Sequence, residues 1–125
     1  MPNLHSFHSK IWSERLKITA ADAGGVLVVT VVDRRLDAAV AKKFKEMMIE
    51  TIKDRPDRII LDLTQVEFLD SSGLGAMVGS LKYLGRDREI DLAGLTTSVE
   101  KIFRITRMDK VFRLFPSVDS ALNAE

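Results

Sequence analysis

The centre of the chain reads RIILDLTQVEFLDSSGLGAMVGSL at residues 58–81. Residues 59–63 are almost entirely apolar, which is typical of a strand inside a parallel sheet. After a loop at residues 64–70, residues 71–84 carry apolar side chains at helical spacing, and glycines among them let the helix backbone lie close to a neighbour. These glycines are Gly73, Gly75 and Gly79. The stretch therefore predicts a buried strand followed by a helix.

The preceding part of the chain predicts a hairpin. Residues 16–20 alternate between polar and apolar, as a half-buried strand does. Residues 22–25 supply turn residues, and residues 26–32 form a continuous β-branched run. We expect the second strand of this hairpin to be buried on both faces.

A helix is predicted between the hairpin and the central stretch. Asp37 is a candidate N-cap, because its carboxylate can accept hydrogen bonds from the free amides of the next turn. Apolar residues at helical spacing follow it, and Pro56 marks the stop. The apolar residues are Val40, Phe44, Met47, Met48 and Ile52. We interpret them as core.

The C-terminal third continues the alternation. Residues 90–93 predict a strand, residues 96–107 a helix, and residues 111–115 a short last strand. Ser117 is expected to cap a final helical turn. The inward-facing residues of the longer helix are expected to be Val99, Ile102 and Phe103.

This order of elements predicts one α/β domain. Strands that alternate with helices imply a mostly parallel sheet, to which the N-terminal hairpin adds an antiparallel pair, with about four helices in all. We place the domain at residues 14–125 and treat residues 1–13 as an N-terminal extension. Because loops that precede successive helices lie at the same end of such a sheet, Asp37 and residues 70–72 are expected to share one surface.

Composition excludes several classes of protein. The chain has 125 residues, 46% of them hydrophobic, and 19 Lys and Arg balance 18 Asp and Glu for a net charge of +1. That balance argues against direct nucleic-acid binding, which needs a basic excess. The absence of cysteine excludes disulfides and thiol nucleophiles. No apolar run approaches the roughly 20 residues that span a bilayer, and no secretory signal opens the chain, so we expect no membrane insertion and a cytoplasmic location.

The motifs of common enzymes are absent. A serine hydrolase elbow would need glycine where Asp70 precedes Ser72, and both histidines lie in the first eight residues. The glycines at 73, 75 and 79 miss the spacing of a dinucleotide-binding loop by one residue. We therefore predict a protein that is not an enzyme and that uses no metal or other cofactor.

The junction at Asp70, Ser71 and Ser72 is the most informative site. One of these residues is expected to cap the helix, and Ser72 is the one expected to be committed to its first turn. A cap explains a single polar residue. It does not explain an Asp-Ser-Ser-Gly run followed by small residues, which leaves hydroxyl groups open to a partner.

DSSGLGAMVGSL, preceded by RIILDLTQVEFL, resembles the signature of the STAS family, the anti-sigma factor antagonists. The resemblance runs from about Leu16 to the C-terminus, supported by Leu36-Asp37 and by residues 112–122. It implies a small β/α domain with a partner-binding surface before its helices. The residues that it assigns to this surface are Asp37, Asp70, Ser71, Ser72, Gly73 and Leu74.

The resemblance also implies a function. An anti-sigma factor that is itself a serine kinase would phosphorylate Ser71, which directly follows the motif aspartate, and a PP2C-type phosphatase would reverse the reaction. The unphosphorylated form would bind the anti-sigma factor and so release a sigma factor. Two alternatives remain: a non-switching STAS subunit of a signalling or lipid-transport assembly, and a small-ligand or nucleotide sensor. The oligomeric state is left open.

One pair of basic residues departs from the family pattern, and a second set of basic residues lies outside the motif. Arg34 stands where the family commonly has glycine, and Arg35 follows it. They are solvated charges, part of an altered partner surface, or internal partners for a phosphate on Ser71. Further along, basic residues recur every third position, either as a solvated face or as a surface for an acidic protein. These residues are Lys101, Arg104, Arg107, Lys110 and Arg113.

Overall fold

A computed structural model of the chain describes residues 11–12, 16–55, 58–84 and 90–124. Eight strands occur in this part: β1 (Ile11–Trp12), β2 (Lys17–Asp22), β3 (Val26–Val31), β4 (Arg35–Leu36), β5 (Arg58–Asp62), β6 (Phe68–Leu69), β7 (Ile90–Ala93) and β8 (Leu114–Phe115). The helices in the same part are α1 (Ala41–Ile52), α2 (Ser71–Leu84), α3 (Thr97–Ile105) and α4 (Val118–Leu122), with a short 3₁₀ helix at Met108–Lys110. The helix predicted at residues 71–84 is confirmed at both ends.

Six of the strands form one mixed sheet in the order β1-β2-β3-β5-β7-β8. The first three strands pair antiparallel, and the pairs from β3 to β8 are parallel. The predicted α/β domain with an N-terminal hairpin and a mostly parallel sheet is confirmed. A separate pair, β4 with β6, was not predicted.

The main core lies on the face of the sheet that α1, α2 and α3 cover. The shorter α4 packs on the opposite face, where Ala121 meets Ile60 and Ala93. This helix begins at the predicted cap, because the Ser117 hydroxyl accepts a hydrogen bond from the Ser120 N–H at 3.0 Å.

The burial of β3 corrects the prediction for the hairpin. Leu27, Val29 and Val31 are fully buried, whereas Val28 and Thr30 on the other face are only half-buried. The reason is that α4 contacts β5, β7 and β8, and therefore leaves the other face of β3 partly open.

The start of α1 also differs from the prediction. The helix begins at Ala41, so Asp37 is not its N-cap. Instead the Asp37 carboxylate accepts a hydrogen bond from the Ala39 N–H at 3.1 Å, and its carbonyl accepts one from the Val40 N–H at 3.0 Å. Asp37 thus closes a turn ahead of the helix. Pro56, the predicted stop, lies outside the described residues.

The last strand is shorter than predicted. Arg107 has a left-handed backbone (φ 64°) just after α3, and the 3₁₀ helix follows it. Residues 111–113, predicted to start the last strand, are irregular. Phe112 is buried edge-on against Phe103, with ring centroids 6.0 Å apart. The Arg113 carbonyl still bonds to β7, because it accepts from the Leu92 N–H at 2.9 Å.

An ion cluster around a buried aspartate joins β5, β7 and the segment before β8. The Asp91 carboxylate, fully buried on β7, lies 2.6 Å from the Arg58 guanidinium and 2.8 Å from that of Arg113. Arg58 also donates to the Ala124 carbonyl at 3.2 Å. Arg113 therefore belongs to this cluster, and the basic repeat at 101–113 is not one continuous face. Arg104 too is paired, with Glu100 at 2.7 Å.

The N-terminal boundary stays a prediction. Residues 11 and 12 pair with Ile18 and Lys17 of β2, so the sheet begins within the segment treated as an extension. Residues 1–10 lie outside the described residues.

Candidate functional site

The site is built on the two-stranded β4–β6 pair. Arg35 lies opposite Phe68 and Leu36 opposite Leu69 in a parallel register. The two leucines are buried in the core, so their strand neighbours Arg35 and Phe68 face outward. The pair brings the turn that precedes α1 alongside the turn that precedes α2.

Backbone hydrogen bonds hold the two segments together. The Arg34 carbonyl accepts from the N–H groups of Glu67 (2.8 Å) and Phe68 (3.0 Å). The Leu36 carbonyl accepts from the Asp70 N–H at 3.3 Å. The expectation that Asp37 and residues 70–72 share one end of the sheet is therefore confirmed.

Asp70 is the cap of α2. One oxygen of its carboxylate accepts from the Gly73 N–H at 3.0 Å, within the first turn. The other oxygen accepts from the Ala38 N–H at 3.1 Å, in the turn before α1. Of the three candidate caps, the structure selects Asp70, which also ties the two turns to each other.

Ser71 and Ser72 are left with exposed side chains. Asp70 already accepts from the amide that a serine cap would have bound, and neither hydroxyl has a hydrogen-bond partner within the described ranges. The expectation that Ser72 is committed to the first turn is wrong for its hydroxyl. Both hydroxyls are therefore accessible, and only Ser71 directly follows the motif aspartate.

Gly73 allows α2 to lie close to β4 at the site. It is buried, and a Cβ there would collide with the Leu36 carbonyl oxygen and lie 2.8 Å from Leu69 Cδ1. The predicted close approach is confirmed at Gly73 but wrong at Gly75, where a Cβ would meet open space. Leu74 is half-buried against the core. Partner binding by Gly73 and Leu74 stays a prediction.

The arginines at 34 and 35 both have internal partners. Arg34 pairs with Glu67 at 2.9 Å, with both side chains more than half exposed. Arg35 donates from Nε to Asp37 at 3.1 Å and places its guanidinium 4.2 Å from the centroid of the Phe68 ring. Phe68 nevertheless remains 40% exposed, in a shallow cleft of about 320 Å³ that these two ion pairs border.

Sequence reasoning missed these pairings because two-residue strands are too short to show alternation. Once Leu36 and Leu69 are assigned to the core, strand alternation places their neighbours Arg35 and Phe68 on the outward face.

Other kinds of site find no support within the described part of the chain. No group of three or more His, Cys, Asp and Glu side chains there is placed to hold a metal ion. No helix in that part combines the length and apolarity required to cross a membrane.

The fold agrees with comparisons to known proteins. The family profile described as "STAS domain" matches residues 17–121. Anti-sigma-F factor antagonist RsfB of Mycobacterium tuberculosis is 28% identical over 109 residues, which cover 87% of this chain and 88% of the relative. The anti-sigma-B factor antagonist of Listeria monocytogenes is 33% identical over 90 residues, covering 70% and 77%.

A solved structure shows the same architecture. The crystal structure of an anti-sigma factor antagonist from Mycobacterium paratuberculosis superimposes with a TM-score of 0.78 at 27% identity, covering 89% of this chain and 95% of that one. The chain therefore belongs to the STAS domain family. Within that family it is similar to the anti-sigma factor antagonists.

Proposed function

We propose that this chain is a phosphorylation-controlled anti-sigma factor antagonist. In the unmodified state it binds an anti-sigma factor that is also a serine kinase, and so releases a sigma factor. The kinase phosphorylates Ser71, and a PP2C-type phosphatase restores the binding form. The role is that of a cytoplasmic binding protein, with neither catalysis nor direct contact to nucleic acid.

The observation that carries the proposal is the division of labour between Asp70 and Ser71. Asp70 caps the helix, while the Ser71 hydroxyl next to it is exposed and bonds to no described residue. A phosphate on Ser71 would therefore displace no hydrogen bond that the Ser71 hydroxyl makes. It would add roughly 1.5 to 2 negative charges at neutral pH, which the free amides and the dipole of the helix N-terminus stabilise.

The same charge would oppose the partner. Ser71 lies next to Asp70, with Asp37 and Glu67 on the adjoining segments. A partner surface that accepts a neutral hydroxyl would meet added bulk and further negative charge at this point. A loss of about 1.4 kcal/mol weakens binding tenfold, so a local change is sufficient to release the partner without refolding.

The test compares unmodified protein, Ser71→Ala, and protein phosphorylated at Ser71, titrated into the isolated anti-sigma factor by calorimetry at one salt concentration. Ser71→Ala should bind within about threefold of the unmodified protein, because its methyl group is small and neutral. The phosphoprotein should bind at least about tenfold more weakly, because the added charge is desolvated at the interface.

Ser72→Ala is the matched control. It removes an equally exposed hydroxyl one residue away, so it should still accept phosphate at position 71, as mapped by mass spectrometry, and still switch. Equal binding of the phosphorylated and unmodified proteins would favour a non-switching STAS subunit. Phosphate found chiefly on Ser72 would overturn the assignment of the site.

A further inference from the structure

Arg35 occupies a place where a phosphate on Ser71 could be bound within the chain. It lies beside Phe68 on the outward face of the β4–β6 pair, and its Nε contacts Asp37 in the turn after β4. The Asp37 turn meets Asp70 through the Ala38 N–H, 3.1 Å from the carboxylate. Ser71 is the next residue, so the arginine and the serine border the same small surface.

The present interaction of Arg35 leaves most of its donors unused. Its Nε donates to Asp37, and no hydrogen bond joins its terminal nitrogens to a residue in the described ranges. The Arg35 side chain is 59% exposed and that of Asp37 20%, so water and salt reach the arginine side of the pair. A rotation of the guanidinium toward a stronger anion has to give up this pair and the contact with the Phe68 ring, 4.2 Å away.

A phosphoserine is such an anion. It carries nearly twice the charge of a carboxylate and three acceptor oxygens, which match the planar fork of a guanidinium. Arg34 differs, because it already uses two nitrogens on Glu67, at 3.2 and 2.9 Å. We infer that Arg35 leaves Asp37 and binds the phosphate when Ser71 is phosphorylated; this step rests on the proposed function only for the identity of the modified serine.

The exchange would change the surface at two further points. Asp37 would lose its arginine partner, and the Phe68 ring would lose the guanidinium that now lies over it. A binding partner would then meet an altered surface on both segments of the site, in addition to the phosphate. Arg35 is thus assigned as a positioning residue of the switch.

The experiment uses full-length protein with phosphoserine incorporated at position 71 during translation, so that no kinase is needed. Two NMR readouts follow the exchange: the Nε–H signals of the arginines with and without the phosphate, and the pKa of the phosphate from a ³¹P titration. The charged groups on the segments next to Ser71 are Asp70, Asp37 and Glu67, which would raise that pKa, and Arg34 and Arg35, which would lower it.

We expect phosphorylation to move the Arg35 Nε–H signal and to leave that of Arg34 in place. Arg35→Gln should raise the pKa of the phosphate by about 0.5 pH unit, and the matched control Arg34→Gln by less than half as much. An unmoved Arg35 signal in the wild-type phosphoprotein, or equal pKa changes in the two variants, would overturn the inference.

Binding of the same phosphoprotein to the anti-sigma factor separates this inference from the proposed function. If Arg35 binds the phosphate but the partner still binds undiminished, the inference stands and the switch fails. If the partner is released while the Arg35 signal does not move, the switch stands and the inference fails.

Discussion

Asp70 serves two segments with one carboxylate. Its two oxygens accept hydrogen bonds from Gly73, three residues later, and from Ala38, 32 residues earlier. The first bond caps α2 and the second holds the turn before α1 against it. Because Asp70 supplies the cap, the exposed hydroxyl of the neighbouring Ser71 bonds to no described residue.

Replacement of Asp70 should therefore cost stability in two steps. Asp70→Asn keeps one acceptor oxygen for the cap and loses the bond to Ala38, whereas Asp70→Ala loses both. We expect losses of about 1 kcal/mol and about 2 to 3 kcal/mol in the free energy of unfolding, measured by urea denaturation.

Ser72→Ala is the control for this series, because its hydroxyl is exposed and bonds to no described residue. It should change the free energy of unfolding by less than about 0.5 kcal/mol. Equal stability of Asp70→Ala and Ser72→Ala would show that the carboxylate does not hold the two turns together.

At the scale of elements, the site depends on how closely α2 approaches β4. Gly73 allows that approach, because the Leu36 carbonyl occupies the space that a side chain would take. The same carbonyl accepts the Asp70 N–H. A helix displaced at this point would separate the two halves of the site.

Two glycine substitutions in α2 should have opposite effects. Gly73→Ala should destabilise the protein by about 2 kcal/mol or more, since the backbone of Leu36 cannot move aside as a flexible side chain can. Gly75→Ala should stabilise it by about 0.5 to 1 kcal/mol, because alanine is the better helix former and its methyl group meets open space.

Thermal unfolding of the two variants provides the measurement, and binding to the anti-sigma factor adds a second readout. If both substitutions destabilise the protein, the close approach at position 73 is not the specific cause of the loss in Gly73→Ala. A general intolerance of Cβ atoms on α2 would then explain the result.

In the whole molecule, a buried ion cluster joins elements from distant parts of the chain. Asp91 on β7 holds Arg58 of β5 and Arg113, which precedes β8, and Arg58 reaches the carbonyl of Ala124. The cluster lies on the face that α4 covers. It therefore fixes the C-terminal segment to the sheet, where the shortness of α4 limits hydrophobic packing.

Asp91→Asn should destabilise the fold by about 2 to 4 kcal/mol, because it removes the buried negative charge that both guanidinium groups contact. The loss is expected to stay below that of a fully enclosed pair, since the Arg113 side chain is 44% exposed and can rehydrate. Urea denaturation of Asp91→Asn and of a control, Glu100→Gln, gives the comparison.

The control breaks an exposed i,i+4 pair with Arg104, which should be worth less than about 0.5 kcal/mol. A loss for Asp91→Asn no larger than that of Glu100→Gln would show that the cluster contributes no more than a surface pair.

The sequence alone was sufficient for the order of the long elements, the bounds of α2, the buried stripe on α1 and the family. It also placed Asp37 and Ser71 at the same end of the sheet. These properties follow from local periodicity, from the residues of one continuous motif and from the way strand–helix units connect. Within one periodic segment or one continuous motif, the residues that decide the structure are close together in the chain.

The other features of the fold and the site depend on the tertiary structure, through contacts between residues that are distant in sequence. The β4–β6 pair, the bond from Ala38 to Asp70, the Arg34–Glu67 pair, the contact of Arg35 with Phe68 and the Asp91 cluster all join residues that lie far apart in sequence. Asp37 illustrates the difference: its residue type predicts a cap, but the helix begins four residues later. Packing of Leu36 against Leu69 sets the position of that turn, and local propensity carries no information about it.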